Sequence, residues 1–447
     1  MNRRIVVRAG ILGLIAAIVI FFQHASLPAD LTGDEIEFAR FAVKLTTQGY
    51  TPYDSYATGH ATLYFYILLA SFKLFGLSQF ALRLPAAIFG VLAVVALYSV
   101  LRQVFKDVSE SIKCPFVKNP FKVDLAFIVT AVFALTRWYY SFARYSFEAT
   151  FVIFLELVSL SAVVKFVNTR RIPWLVVSAL FAGLAYNSYQ PGRLFIFIPV
   201  IALAVFSKVR TVRNFLIYSC VCGAIMLPLT VYLGQQNDVR IQQQLYFADK
   251  NLTASQKGMF LIDNIDKTIK MFFWQGDVSG RHNYPHKPAL TLIAAFFALI
   301  GLIVSVRNFK HPYNALFLVY AVLAIIPTLL TYPHENPNML RTITVLPSVM
   351  YFLGLGIMTL AHFFIHYTYL KKHYSYCAIA IVLLLGLSAY QDARTYFVFQ
   401  RKVFTEAFEI KDGFAGVYVF MHERHIPSEG FTLEPKERAL YEKLGRE

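Results

Sequence analysis

Long apolar stretches recur along nearly the whole chain, and no other feature limits the fold as strongly. They lie near 9–22, 84–101, 123–141, 149–167, 173–189, 194–207, 214–233, 289–306, 315–331, 342–364 and 375–390. A helix crosses hydrocarbon with about 17–25 apolar residues, so the pattern predicts an all-α polytopic membrane protein with about 11 transmembrane helices. Lipid offers the backbone no hydrogen-bond partners, so each span must satisfy its own peptide groups. Composition agrees: 57% of residues are hydrophobic and 15% charged, where a soluble domain carries about 25% charged residues. The 42 Phe and 27 Tyr suit bilayer interfaces. The basic start and first apolar run also fit a cleaved signal peptide. We read a retained first span, because everything downstream is polytopic as well. The stretch 60–77, interrupted by Lys73, is predicted to lie along the membrane surface.

Charge then gives the loops their sides. With the N-terminus in the cytoplasm, the inner segments carry Arg3, Arg4, Arg8, Arg102, Lys106, Lys113, Lys118, Lys122, Lys165, Arg170, Arg171, Lys208, Arg210, Arg213, Arg307, Lys310, Lys371 and Lys372. The short outer loops carry Arg137, Arg144, Arg193 and Arg341. This asymmetry is the positive-inside pattern of a multi-pass inner-membrane protein. Acidic residues run the other way, except Asp107, Glu110, Asp124 and Glu156. The net charge of +16 is therefore mostly a topology signal toward membrane lipids, and nucleic acid is not implied as a partner. The four cysteines are too few for a disulfide framework. Cys220, Cys222 and Cys377 read as packing residues in apolar runs, and Cys114 sits in a basic loop.

One transmembrane domain is expected over 1–390, with outer loops at 30–83 and 234–288 and a short extracytoplasmic tail at 391–447. Within the long loop, Phe260, Leu261, Ile265, Ile269, Phe272 and Phe273 recur at helical spacing, predicting a helix over 254–274 in the interface. The sequon Asn251-Leu252-Thr253 is read as chance.

Candidate chemistry starts at Thr32-Gly33-Asp34-Glu35. Thr32-x-x-Glu35 reads as a capping box opening a helix over 34–47, with Asp34 favoured by the helix dipole. Such a cap also fixes the position of a catalytic carboxylate. Farther on, Arg144 and Glu148 stand four apart at an outer boundary, where charges are costly unless paired or functional. A snorkelling arginine with Glu148 as its partner is the plainer alternative.

The stretches Gly59-His60-Ala61-Thr62-Leu63-Tyr64, Phe72-Lys73-Leu74-Phe75-Gly76 and Ala81-Leu82-Arg83-Leu84-Pro85 closely resemble bacterial members of the protein O-mannosyltransferase-like family. That family belongs to the GT-C superfamily, with the lipid A aminoarabinose transferases. Ala61-Thr62 stands where the family has two prolines. The resemblance implies the GT-C fold and inverting transfer of a sugar from a polyprenyl-phosphate carrier to an acceptor hydroxyl or phosphate on the outer face. The acceptor would be a lipid, glycan or protein.

By the same resemblance Asp34 is the base and Glu35 a supporting or metal-contacting residue. Arg144, Arg83, Arg341 and Arg193 are candidate donor-phosphate ligands. His60, Tyr64, Glu148, Tyr189, Gln190, Asp277, Arg281 and His282 are candidate substrate-binding residues. No organic cofactor is implied; a divalent metal ion stays unassigned, with Glu35 and His282 as ligand types. Asp34 and Arg144 are expected to meet in one outward cavity. A transporter or lipid flippase is the competing class; it would show repeated halves and broken midplane helices, which the sequence lacks.

Overall fold

Once every peptide group must bond within its own segment, the apolar stretches have little choice but to coil. The computed structural model describes residues 3–46, 49–54, 59–111, 124–236, 238–367 and 374–411. Lys113, Cys114, Lys118, Lys122, Lys371, Lys372 and tail residues 412–447 lie outside the described residues. The order is α1 (Arg3–Phe21), α2 (Gly33–Lys44), a hairpin of β1 (Tyr53–Asp54) and β2 (His60–Ala61), α3 (Leu63–Phe75), α4 (Gln79–Ser111), α5 (Leu125–Leu135), α6 (Arg137–Tyr140) and α7 (Ala149–Thr169). Then come α8 (Ile172–Tyr186), α9 (Phe197–Val205), α10 (Val212–Gln235), α11 (Val239–Gln244), α12 (Ala254–Phe273), α13 (Leu292–Arg307), α14 (Pro312–Leu329), α15 (Leu346–Tyr367), α16 (Tyr374–Arg394) and α17 (Phe404–Ala407).

Each predicted apolar stretch contains a helix, but crossing lengths differ. Among the described residues six helices are long and apolar enough to cross a membrane, or seven if α5 and the turn after it, bent by 56°, form one span. The bend sits at Thr136, whose extended backbone stops α5 while its hydroxyl bonds back to the Val132 carbonyl at 2.8 Å. The protein is an integral membrane protein. α13 and α15 cross at Gly301 and Gly356, where a Cβ on either would overlap the other helix's backbone; small residues permit such contact where no hydrophobic effect drives association. Glu156, buried in α7, accepts the Tyr320 hydroxyl at 2.6 Å.

Loops assigned to the same side touch one another. Asp34 of the segment 30–83 pairs with Arg281 of the segment 234–288, and Leu31 and Ile410 exchange two backbone hydrogen bonds of 3.0 Å. At the opposite end Arg8 pairs with Asp124 at 2.6 Å. Residues 391–411 are thus part of the body, lying against the first outer loop. α12 carries exposed Met259, Ile262, Ile265, Ile269 and Phe273 along one side, as an interfacial helix requires. Thr253 of the sequon opens it with a capping box to Gln256.

Candidate active site at the outer loops

The opening turn of α2 is held from four directions. Thr32 accepts the Glu35 amide at 3.1 Å, and Glu35 accepts the Thr32 amide at 3.2 Å, completing the predicted capping box. Arg83 grips both Glu35 oxygens, at 2.8 and 2.9 Å, and the Ser146 amide adds a bond of 2.9 Å. Glu35 is fully buried, so this fork-to-fork pair fixes the loop without facing a ligand. With two donors on each oxygen, it has no lone pair left for a metal ion. Arg83 gives two more N–H groups to the Pro28 and Asp30 carbonyls at 2.6 and 2.7 Å and is fully buried. Four of its five donors are thus engaged inside the protein, and it holds the loop rather than facing the cleft.

Arg144 departs from expectation more sharply. Its Nη1 donates to the carbonyls of Val19 and Ile20, its Nη2 to those of Phe22 and Leu27, and its Nε to the Tyr396 hydroxyl. A guanidinium has five donors; all are used, and the group is fully buried. Arg144 caps the carbonyl end of α1 and does not meet Asp34 in a cavity. Glu148 is not its partner either: Glu148 lies 3.5 Å from His60 Nδ1.

Asp34 is free of that packing. Its side chain is 45% exposed, and Arg281 holds Oδ2 at 2.5 Å, while no described residue donates to Oδ1. Burial works against the Arg281 charge, but Asp34, with Tyr145 and Glu409, raises its pKa above the ordinary arginine value. One turn along α2, Glu37 has its carboxyl pushed up to about 7 by burial, with Asp34 adding to the effect and Arg40 opposing it. Beneath them His60 is buried and held below its usual range by desolvation and the Arg240 charge, against the pull of Glu148. Tyr64 is buried against Phe38 and Phe151.

The hairpin that carries His60 needs no prolines. Thr62 donates its amide to the Pro52 carbonyl at 3.2 Å and its hydroxyl to the Thr51 carbonyl at 2.5 Å. Proline at this position would lack both groups. Gly59 has φ +79°, and a Cβ there would overlap the Tyr53 hydroxyl.

Beside this group runs a cleft of about 210 Å³. Leu194, Ile241, Leu245, Ile326 and Leu330 make it apolar, and Arg193, Arg240 and Arg341 make it cationic. Tyr189 and Gln190 line it as well, and the Tyr189 ring meets Phe147, which in turn packs on Phe38 of α2. Asp238 positions the cations. It pairs with Arg193 at 2.7 Å, accepts the Tyr53 hydroxyl at 2.9 Å and caps α11 through the Arg240 amide at 3.0 Å. Arg341 pairs with Glu335. Arg240 faces Gln244 at 3.3 Å, and among the described residues no carboxylate pairs with it.

Arg240 and Glu37 were missed by the sequence reading. Asp238-x-Arg240 just past the 214–233 span, and Glu37 three residues after Asp34, were the available signals. Asp277 and His282 turn inward instead, bonded to each other at 2.8 Å, with Asp277 also holding the Met339 amide at 2.8 Å. They brace the long loop against the loop before α15. His282 and Glu35 are therefore engaged separately, and among the described residues no three His, Cys, Asp or Glu gather as a metal site.

Among solved structures, the oligosaccharyltransferase AglB from Archaeoglobus fulgidus, in complex with an inhibitory peptide and a dolichol-phosphate, aligns over 99% of this chain with a TM-score of 0.57 at 15% identity. Its apo form aligns over the full chain (100%) with a TM-score of 0.55. This chain has the GT-C fold. It spans 60% of the length of that oligosaccharyltransferase. The sequence profile described as dolichyl-phosphate-mannose-protein mannosyltransferase matches residues 59–112, the stretch that holds His60, Tyr64 and Arg83. ArnT from Cupriavidus metallidurans, in the apo state, aligns over 89% of this chain and 76% of its own at 13% identity, with a TM-score of 0.48. No curated protein matches the sequence.

Proposed function

We propose that the protein is an inverting glycosyltransferase that moves a sugar from a polyprenyl-phosphate carrier to an acceptor hydroxyl or phosphate on the outer face of the membrane. One observation supports this reading: an apolar-walled cleft holding three arginines is lined by Tyr189, whose ring contacts lead through Phe147 to Phe38 of α2, the helix that also carries the half-exposed Asp34. A polyprenyl phosphate has the matching chemistry, with an isoprenoid tail for Leu194, Ile241 and Leu330 and an anion for Arg193, Arg240 and Arg341. The dolichol-phosphate in the archaeal oligosaccharyltransferase complex fits the same class of donor.

In this mechanism the acceptor oxygen attacks the anomeric carbon as Asp34 Oδ1 takes its proton. The bond from that carbon to the phosphate oxygen breaks, and its electron pair leaves with the lipid phosphate. Arg240 and Arg341 stabilise the leaving charge, while Arg281 keeps the Asp34 carboxylate oriented through Oδ2. A single displacement needs no nucleophilic carboxylate and inverts the anomeric centre. Glu35 acts through the loop it anchors, and Gln190, Tyr189 and the His60–Glu148 pair offer contacts to sugar hydroxyls.

The test is transfer from a labelled polyprenyl-phosphate sugar by the purified full-length protein. Asp34→Asn is expected to lower the rate by roughly 10²–10⁴-fold, the range of general-base catalysis, with donor binding unchanged. Full activity in that variant would reject Asp34 as base. Retention of anomeric configuration in the product would reject the single displacement.

A further inference from the structure

A second cavity lies at the other end of the helices and takes no part in the chemistry above. It has a volume of about 440 Å³ and gathers the ends of α4, α7 and α9 around the start of α14. α7 begins beside Glu148 and runs 21 residues to Thr169 at this cavity. At 1.5 Å per residue the two sites stand about 30 Å apart, the thickness of a bilayer core.

The cavity's charges are unevenly matched. Its one carboxylate, Asp107, already accepts the Tyr313 hydroxyl at 2.6 Å and the Asn168 amide at 2.8 Å. Arg170 and Lys208 both line the cavity, and no carboxylate of the described residues pairs with either. His311 lines the cavity beside them. The 18-residue α14 opens at the same point with no side-chain cap, adding the partial positive charge of its first turn. Phe206 and Pro312 supply an apolar margin.

We propose that this cavity binds a phosphate group, carried by the headgroup of an anionic phospholipid or free in solution, between Arg170, Lys208 and His311. Basic pockets between spans on the positively charged side of a membrane protein are suited to lipid headgroups. Arg171, Arg210 and Arg213 on the adjoining segments extend the same positive field.

Native mass spectrometry of the full-length protein in detergent tests the assignment, with short-chain phosphatidylglycerol, phosphatidylcholine of the same chain length, and inorganic phosphate as separate probes. Phosphatidylglycerol is expected to bind at least tenfold more tightly than phosphatidylcholine, and Arg170→Ala/Lys208→Ala to weaken it tenfold or more. The charge-conserving Arg170→Lys/Lys208→Arg variant should restore binding. Both side chains are at the surface, so an unchanged thermal midpoint is expected and checks folding. Binding of inorganic phosphate alone, lost in the double-alanine variant, would assign the site to free phosphate. Equal phosphatidylglycerol binding by wild type and double-alanine variant, or no binding of either anionic probe, would overturn the proposal.

Discussion

Two sets of arginines meet around α2 and the loops packed near it and are used in opposite ways. Arg83 and Arg144 are fully buried, and their N–H groups end on carbonyls, a hydroxyl and the Glu35 carboxylate of the protein itself. Arg193, Arg240 and Arg341 line a cleft, and their protein partners are fewer. A buried guanidinium with all five donors taken, as in Arg144, or four, as in Arg83, has little left to offer a phosphate. A partly satisfied one at an apolar cleft gains by meeting an anion. Position at a membrane boundary does not separate the two sets; hydrogen-bond occupancy does.

The comparison can be broken first at its buried half. Arg83→Ala leaves Glu35 buried and uncompensated, a change expected to cost about 3–5 kcal/mol, read as a lowered thermal midpoint or loss of folded protein in detergent. A variant that stays as stable as wild type yet loses donor would move Arg83 into the ligand set. At the cleft, Arg240→Ala is expected to fold with an unchanged midpoint and to weaken donor binding about tenfold, or 1.4 kcal/mol, measured by titration with the polyprenyl-phosphate sugar. Destabilisation without loss of affinity would place Arg240 with Arg83 and Arg144.

A pH-dependent effect is expected at Glu37. Its carboxyl, pushed up from 4.5 to about 7 in the folded protein, binds its proton more tightly there than in the unfolded chain. Stability should therefore fall as pH rises through that window, because the charge must then be tolerated in a buried setting and, secondarily, beside Asp34. Glu37→Gln should flatten the decline in thermal midpoint over the same window. An unaltered slope would show that Glu37 does not carry it.

Local features were legible. Thr32-x-x-Glu35 announced its cap because a capping box closes within one turn. The amphipathic spacing of 254–274 announced α12, because the period is set by the helix itself. Pairings across the chain were not. Glu35 and Arg83 are 48 positions apart, and nothing in either stretch names the other. The Arg144–Glu148 spacing suggested a helical pair, but α7 begins only at Ala149. Outside a helix, residues four apart need not face each other, so Arg144 turns to the carbonyls ending α1 and Glu148 to His60. Arg240 was passed over because α11 is only six residues long, too short for a periodic signal.

The sequence alone determined the helical membrane architecture, because backbone bonding in hydrocarbon is local. Only the tertiary structure decided which carboxylate stays accessible and which arginines are free for a ligand. The same side chain serves either purpose, and its use depends on acceptors brought from distant parts of the chain.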